Sequence, residues 1–208
     1  MRRIDTRRLG GLRLDSMSEE TLRTYRWTRR AYGRLIDEGI LGEDDPIELL
    51  DGLLVVKEPQ HTPLATAIDL VAGALRTAFG VDWLVRAQAP MAADRWSEPE
   101  PDVYVVAGAP RDYLPEHPTR PALVVEVAHS SLRLDRTRKA AIYAKAGVED
   151  YWIVNLVDRA LEVHREPALL EAGRRRWGYR SVESLGGDAR VSPLAAPAAR
   201  VAVADLLP

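Results

Sequence analysis

Two short apolar stretches each carry one carboxylate among hydrophobic neighbours. Asp102 opens the stretch PDVYVV, and Glu126 lies inside the stretch LVVEVA. A strand buried on both faces is almost continuously apolar, so an acid within it is costly unless a cation compensates its charge. Carboxylates on neighbouring strands would bind a divalent cation, and oxygen ligands favour Mg²⁺ or Mn²⁺. The sequence therefore predicts a metal site with Asp102 and Glu126. The alternative is that Asp102 simply begins a strand and Glu126 faces solvent.

Lys139 is the cation that the sequence places near this pair. In the helix predicted for residues 134–146, Lys139 shares a face with Ile142 and Tyr143. Because these neighbours are apolar, we expect the lysine to point inward. A lysine that lies along the helix with its ammonium group in solvent would show the same pattern, and this alternative stays open. Lys145 lies on another face, where a solvated position is expected.

Other polar residues carry weaker signals. Glu48 opens a strand of a predicted hairpin and, taken alone, is typical of a surface acid. His61 precedes a helix start and His129 follows the second apolar stretch, and each alone is typical of a loop residue. A serine nucleophile is a poor fit, because Ser130 and Ser131 do not lie in a G-x-S-x-G turn, and the sequence has no phosphate-binding glycine loop.

Capping residues predict the helices that position these groups. Thr28 is expected to cap a helix that ends at Gly39. Thr62 followed by Pro63 predicts the start of a long amphipathic helix, which Gly80 ends. The helix over 134–146 is the third.

Turn residues and apolar runs predict the strands. Asp51-Gly52 is a strong two-residue hairpin signal. The predicted strands span 47–50, 53–57, 83–89, 101–107, 121–128, 150–156, 161–166 and 177–183, before a short apolar end at 199–207. This order predicts an α/β protein with one mixed sheet, helices on both faces, an N-terminal hairpin and extra C-terminal strands.

Composition limits the class of protein. A length of 208 residues suits one domain, predicted over 21–208, and 46% hydrophobic content is ordinary for a soluble protein. The absence of cysteine excludes disulfides and thiolate zinc sites. Without a membrane-length apolar run or a signal-peptide core, a cytoplasmic location is expected. Residues 1–20 are polar and predict a flexible leader, within which Met17 is an alternative start. The net charge of −2 gives no global attraction to nucleic acid, although local basic patches do.

Taken together, these motifs resemble a known family. Asp102 after Pro101, with Glu126-Val127-Ala128 on the next strand, is similar to the signature of the PD-(D/E)XK nuclease superfamily. A closer resemblance, to restriction-endonuclease-like proteins once catalogued as a domain of unknown function, is carried by ELLDG, SEPEPDVYVV, PALVVEVAHSS and DRTRKAAIYAKAGVEDYW. It runs from about Tyr25 to the C-terminus. The chain departs from the superfamily at Ala128, where a lysine is expected; the lysine of this family lies on the following helix, which matches Lys139.

The resemblance implies a restriction-endonuclease-like fold and Mg²⁺- or Mn²⁺-dependent hydrolysis of nucleic-acid phosphodiester bonds, with DNA as the expected substrate. It implies that Asp102, Glu126 and the main-chain carbonyl of Val127 hold the metal, with Glu48 as an additional acid. Lys139 is then expected to act on the attacking water and on charge that develops at the phosphate.

Two arginines and a second subunit complete this expectation. Arg133 and Arg136 are expected to contact phosphates, which positions nucleic acid without reading its sequence. A homodimer is expected because cleavage of a duplex uses two active sites. Two other functions stay open: an inactive nuclease fold that binds DNA or a protein, and a metal-dependent hydrolase of small phosphate esters.

Overall fold

The structure is a computed structural model that describes residues 24–42, 45–57, 61–171 and 176–208. The predicted leader, residues 1–20 with Met17, lies outside the described residues. The helices are α1 (Arg29–Asp37), α2 (Thr62–Phe79), α3 (Leu132–Leu134) and α4 (Ala140–Ala146), with a π-helical turn (Asp135–Lys139) between the last two. The strands are β1 (Ile47–Leu50), β2 (Leu53–Val56), β3 (Trp83–Ala87), β4 (Val103–Ala107), β5 (Leu123–Ala128), β6 (Asp150–Asn155), β7 (Ala160–Glu171), β8 (Arg176–Leu185), β9 (Arg190–Val191) and β10 (Val201–Ala202).

Local sequence signals set the ends of the first two helices. At the start of α1, the side-chain oxygen of Thr28 accepts a hydrogen bond from the N–H of Ala31 at 3.2 Å. Pro63 lies in the first turn of α2, where its missing N–H leaves no helical hydrogen bond unmade. Gly80 follows α2 with φ at 74°, a conformation that glycine adopts without strain. These boundaries agree with the sequence prediction to within two residues.

Six strands form a central mixed sheet in the order β3-β4-β5-β6-β7-β8. β5 and β6 are parallel, and the other neighbouring pairs are antiparallel. A parallel pair needs a long crossover connection, which α3, the π-helical turn and α4 supply. The strand that carries Glu126 therefore leads directly into the helical segment that carries Lys139.

Hydrophobic cores lie on both faces of this sheet. Alternate residues of β5 divide between them. Val125 and Val127 belong to the core beneath α2, whereas Val124 and Ala128 belong to the core beneath α4. Glu126 lies between the latter two and thus on the α4 face. The predicted α/β fold, with a mixed sheet flanked by helices, an N-terminal hairpin (β1–β2) and extra C-terminal strands, is confirmed.

The largest departures from the predicted elements lie in the crossover and in β7. The predicted helix 134–146 begins earlier, at Leu132, and contains the π-helical turn. β7 extends to Glu171 because β8 pairs with it along most of its length. Within the described ranges, none of the helices has the length and apolar character needed to cross a bilayer.

Candidate active site

Asp102 lies one residue before β4, where the pairing between β4 and β5 ends. Val103 pairs with Val125, so the N–H of Val127 extends past the end of β4. The Oδ2 atom of Asp102 accepts that hydrogen bond at 2.7 Å. The predicted strand 101–107 therefore begins two residues late, because the carboxylate of Asp102 takes over a hydrogen bond that strand backbone would otherwise make.

This hydrogen bond also gives the direction of the Val127 carbonyl. In a strand, the N–H and C=O of one residue point to the same side, because such a residue exchanges both of its hydrogen bonds with the same neighbouring strand. The N–H of Val127 points to Asp102. Its carbonyl therefore points toward the space beside Asp102, which is the direction that a main-chain metal ligand needs.

Glu126 is 2% exposed and is hydrogen-bonded by two groups of the helical segment. Its Oε1 atom accepts hydrogen bonds from Lys139 Nζ at 3.1 Å and from Tyr143 Oη at 2.5 Å. Lys139 is 7% exposed. The alternatives in which Glu126 faces solvent and Lys139 extends into water are therefore wrong, and the face predicted by counting along the helix is the face that packs on the sheet.

The N-terminal hairpin brings Glu48 to the same ammonium group. Glu48 Oε1 lies 3.3 Å from Lys139 Nζ, and Glu48 Oε2 accepts the N–H of Glu100 at 3.2 Å. At 2% exposure, Glu48 is not the surface acid that its local sequence suggests. The reason is tertiary: a bridge between Leu49 and Glu98 fixes β1 against the segment that leads into β4.

A fourth carboxylate, Asp135, was not predicted. It lies on the π-helical turn, is 2% exposed, and accepts a hydrogen bond from Ser131 Oγ at 2.6 Å. In the sequence DRTRK it resembles a solvated acid within a charged run. The signal that could have found it is its spacing: an acid four residues before a lysine that points inward shares that lysine's face.

These acids surround one lysine. Burial, together with the charge of Glu126, raises the pKa of Asp102 to about 8 and that of Asp135 to about 7. Burial also raises the pKa of Glu126, Lys139 opposes this, and Glu48 adds to it. Burial lowers the pKa of Lys139, but the charges of Glu126, Glu48 and Asp135 outweigh burial, so the net change is upward. The cluster thus has more acids than one lysine can compensate, and a divalent cation would favour their ionised forms.

The donor atoms suit Mg²⁺ in one specific way. In the part of the chain that the structure describes, no three Asp, Glu or His side chains converge into a group that would hold a metal ion. Mg²⁺, however, keeps several waters and commonly binds through one or two carboxylates. The carboxylates of Asp102 and Glu126 with the carbonyl of Val127 are such a set. In this structure Lys139 and Tyr143 contact one oxygen of Glu126.

The two arginines predicted to contact phosphates have different surroundings. Arg136 donates two hydrogen bonds to the carboxylate of Glu162, from Nε at 2.9 Å and from Nη2 at 2.5 Å. Such bidentate pairs are strong and geometrically defined. A phosphate at Arg136 would compete with Glu162, an acid that sequence reasoning did not pair with it. Arg133 is exposed at the start of the helical segment.

The remaining candidates lie away from the acids. Lys145 forms an exposed ion pair with Asp94 at 2.5 Å, on another face of the helix than Lys139, as predicted. His61 is exposed at the N-terminus of α2, and its side chain makes no capping hydrogen bond. His129 is exposed directly after β5.

The mixed sheet, its crossover helix and the acids beside Lys139 define a restriction-endonuclease-like protein. The comparison with family models agrees: the model described as Uma2, "Putative restriction endonuclease", matches residues 31–204. The chain therefore belongs to the Uma2 family. The family resemblance seen in the sequence motifs is thereby confirmed.

A solved structure shows the same fold. The chain is similar to the crystal structure of a "putative nuclease belonging to DUF820" from Anabaena variabilis, with a TM-score of 0.62. The two are 15% identical, and the match covers 82% of this chain and 95% of that chain. The search of curated proteins finds no match to this sequence.

Proposed function

We propose that this protein is a Mg²⁺- or Mn²⁺-dependent endonuclease that hydrolyses phosphodiester bonds of DNA at the cluster around Lys139. The observation that carries this proposal is the position of Lys139, whose Nζ atom lies within 3.3 Å of the buried acids Glu48 and Glu126. Membership of the Uma2 family supports nuclease chemistry in general. The metal, the choice of DNA and the residue roles belong to the proposal.

Asp102, Glu126 and the carbonyl of Val127 would hold the metal in this account, and Glu48 would contact it through water. A divalent ion bound there polarises the scissile phosphate and lowers the pKa of the attacking water. The hydrogen bond from Val127 N–H fixes the orientation of Asp102, and the hydroxyl of Tyr143 does the same for Glu126. Both ligands are therefore oriented by the fold before metal or substrate arrives.

Lys139 would act on the water and on the phosphate. An ammonium group is a compact charge with three donors, so it can hold the attacking water and offset negative charge on a phosphate oxygen. Glu48 limits where that charge can lie, because one of its oxygens contacts Lys139 and the other accepts the N–H of Glu100. Arg133, which is exposed at the start of the same helical segment, would contact a neighbouring phosphate.

The proposal is tested by incubating plasmid DNA, single-stranded DNA and RNA with Mg²⁺, Mn²⁺ or EDTA. We expect DNA cleavage that EDTA abolishes and that Asp102→Asn slows by about 10³-fold, as loss of a principal catalytic group commonly does. Metal-independent binding without cleavage would instead indicate an inactive nuclease fold. Turnover of a small phosphate ester without cleavage of nucleic acid would indicate the third class of function.

Two lysines on one helical segment offer a matched pair of variants. Lys139→Ala is expected to slow cleavage by about 10²–10³-fold, and Lys139→Arg to restore little, because a planar guanidinium fits the site differently. Lys145→Ala removes an exposed ion pair instead and should leave the rate within about twofold of wild type. Equal rates for wild type and Lys139→Ala would show that the lysine has been assigned wrongly.

A homodimer is part of the proposal. Cutting both strands of a duplex uses two active sites, and two-fold dimers are the commonest oligomers. Light scattering at micromolar concentration is expected to give the mass of two chains. A monomeric mass, unchanged when DNA is added, would contradict this part and leave the single-strand chemistry untouched.

A further inference from the structure

Lys139 contacts a residue that the proposed metal also needs. Its ammonium group has three donors, and the acids within reach are Glu126 at 3.1 Å and Glu48 at 3.3 Å. A divalent cation on Glu126 repels the ammonium group and competes with it for the same carboxylate. Lys139 is 7% exposed, so it cannot simply move into water without opening the packing around it. It needs another anion close by.

Asp135 is placed to be that anion. It lies four residues before Lys139 on the π-helical turn, and a π-turn of this kind often occurs at a functional site. Ser131 Oγ donates to Asp135 Oδ2 at 2.6 Å, which orients the carboxylate and leaves it further acceptor positions. The main-chain carbonyl of Asp135 accepts a hydrogen bond from Tyr151 Oη at 3.1 Å, so the turn is fixed to β6.

We propose that Asp135 is a positioning residue, which receives the ammonium group of Lys139 when a divalent cation binds Glu126. This inference rests on the proposed function and adds a role that the metal ligands do not provide. Glu48 remains beside the lysine in both arrangements. The ammonium group thus moves from Glu126 toward Asp135, and it stays buried at the edge of the metal site where it can contact water or phosphate.

A double-mutant cycle distinguishes this role from direct metal ligation. Mn²⁺ binding, without DNA, is followed by electron paramagnetic resonance of the free ion for wild type, Asp135→Asn, Lys139→Gln and the double variant. With Lys139 present, Asp135→Asn should weaken Mn²⁺ binding about tenfold, because the lysine then stays on Glu126. In the Lys139→Gln background, the same change should weaken binding by no more than about twofold.

Each other outcome overturns the inference. A tenfold loss in both backgrounds would make Asp135 a metal ligand, and no loss in either would remove any role toward the metal. Ser131→Ala should give a smaller loss in the same direction, since it removes the hydrogen bond that orients Asp135. Asp69→Asn, at an exposed acid of α2, is the control for a general loss of negative charge. Thermal unfolding of every variant checks that the fold is retained, and Asp135→Ser replaces Asp135→Asn if it is not.

Kinetics supply a second readout. Asp135→Asn should lower kcat by about tenfold or more with KM for DNA nearly unchanged, because the lysine is misplaced while the DNA surface is intact. A rise in KM alone would contradict a positioning role. Failure of the proposed function is distinguishable: in that case Mn²⁺ binding to wild type would be insensitive to Asp102→Asn and Glu126→Gln, whatever Asp135 does.

Discussion

The two faces of the central sheet are built on opposite principles. Beneath α2, the buried side chains of the core are hydrophobic. Beneath α4, the sheet carries Glu126 and faces the buried groups Asp135 and Lys139, with Glu48 from the hairpin. β5 contributes to both faces, since Val125 and Val127 pack on the α2 side while Glu126 lies on the other.

The comparison indicates where stability and chemistry reside. Burial of apolar surface stabilises the folded chain by about 25 cal/mol per Å². Buried charges are costly even when paired, and the α4 face holds several acids for one lysine. The α2 face therefore supports the fold, while the α4 face keeps groups whose full compensation requires a further cation.

The largest effect that separates the faces is expected for Leu75→Ala. Leu75 is fully buried in α2, so the variant should lose about 2–5 kcal/mol of the free energy of unfolding, measured by urea denaturation. Leu70→Ala, on the exposed side of the same helix, should lose less than about 1 kcal/mol. Mn²⁺ affinity of the folded Leu75→Ala protein should equal that of wild type. A large drop in that affinity would show that the two faces are not independent.

An intermediate effect is expected for Asp102→Asn in metal-free protein. Burial raises the pKa of Asp102 from its ordinary 3.8 to about 8, so the folded chain keeps a proton that the unfolded chain has lost. Stability from this group is complete below pH 4 and is lost as the pH rises toward 8. Between pH 5 and 8, wild type should therefore lose about 2 kcal/mol more than Asp102→Asn.

This pH dependence has two controls. Asp69→Asn changes an exposed acid and should follow the wild-type curve. Saturating Mn²⁺ should flatten the wild-type curve, because a cation favours the ionised carboxylate. Parallel curves for wild type and Asp102→Asn would contradict the assigned burial and repulsion at this site.

The smallest effects concern the arginines at the rim of the α4 face. Arg133→Ala should weaken DNA binding several-fold and reduce the slope of log K against log salt by about one, as expected for one phosphate contact. Arg136→Ala instead removes a bidentate pair with Glu162 and should lower stability by about 1 kcal/mol with less change in the salt slope. Fluorescence anisotropy in the Asp102→Asn background measures both without cleavage. The reverse ranking of salt slopes would make Arg136 the phosphate contact.

The sequence predicts most of the fold because its signals are local. Thr28, Pro63 and Gly80 act within one helical turn, and Asp51-Gly52 joins the hairpin by itself. Apolar runs then identify the six strands of the sheet, and their misplaced ends, as at β4 and β7, reflect which neighbour they pair with.

The site is less predictable because its geometry depends on distant segments. Counting along a helix is sufficient to orient Lys139, since Ile142 and Tyr143 are near it in sequence. Glu48 becomes buried through contacts of the hairpin with the segment before β4, and Arg136 pairs with Glu162 across 26 residues of sequence. Asp135 lies on a π-helical turn, whose presence no apolar period reveals.

Crystals soaked in Mn²⁺ and measured at the manganese absorption edge would test the central claim most directly. The account predicts one anomalous peak with Asp102, Glu126 and the carbonyl oxygen of Val127 at about 2.0–2.3 Å, and Lys139 Nζ farther from Glu126 than the 3.1 Å of the metal-free protein. A peak elsewhere, or none at these residues under conditions that support DNA cleavage, would contradict a metal centre on the α4 face.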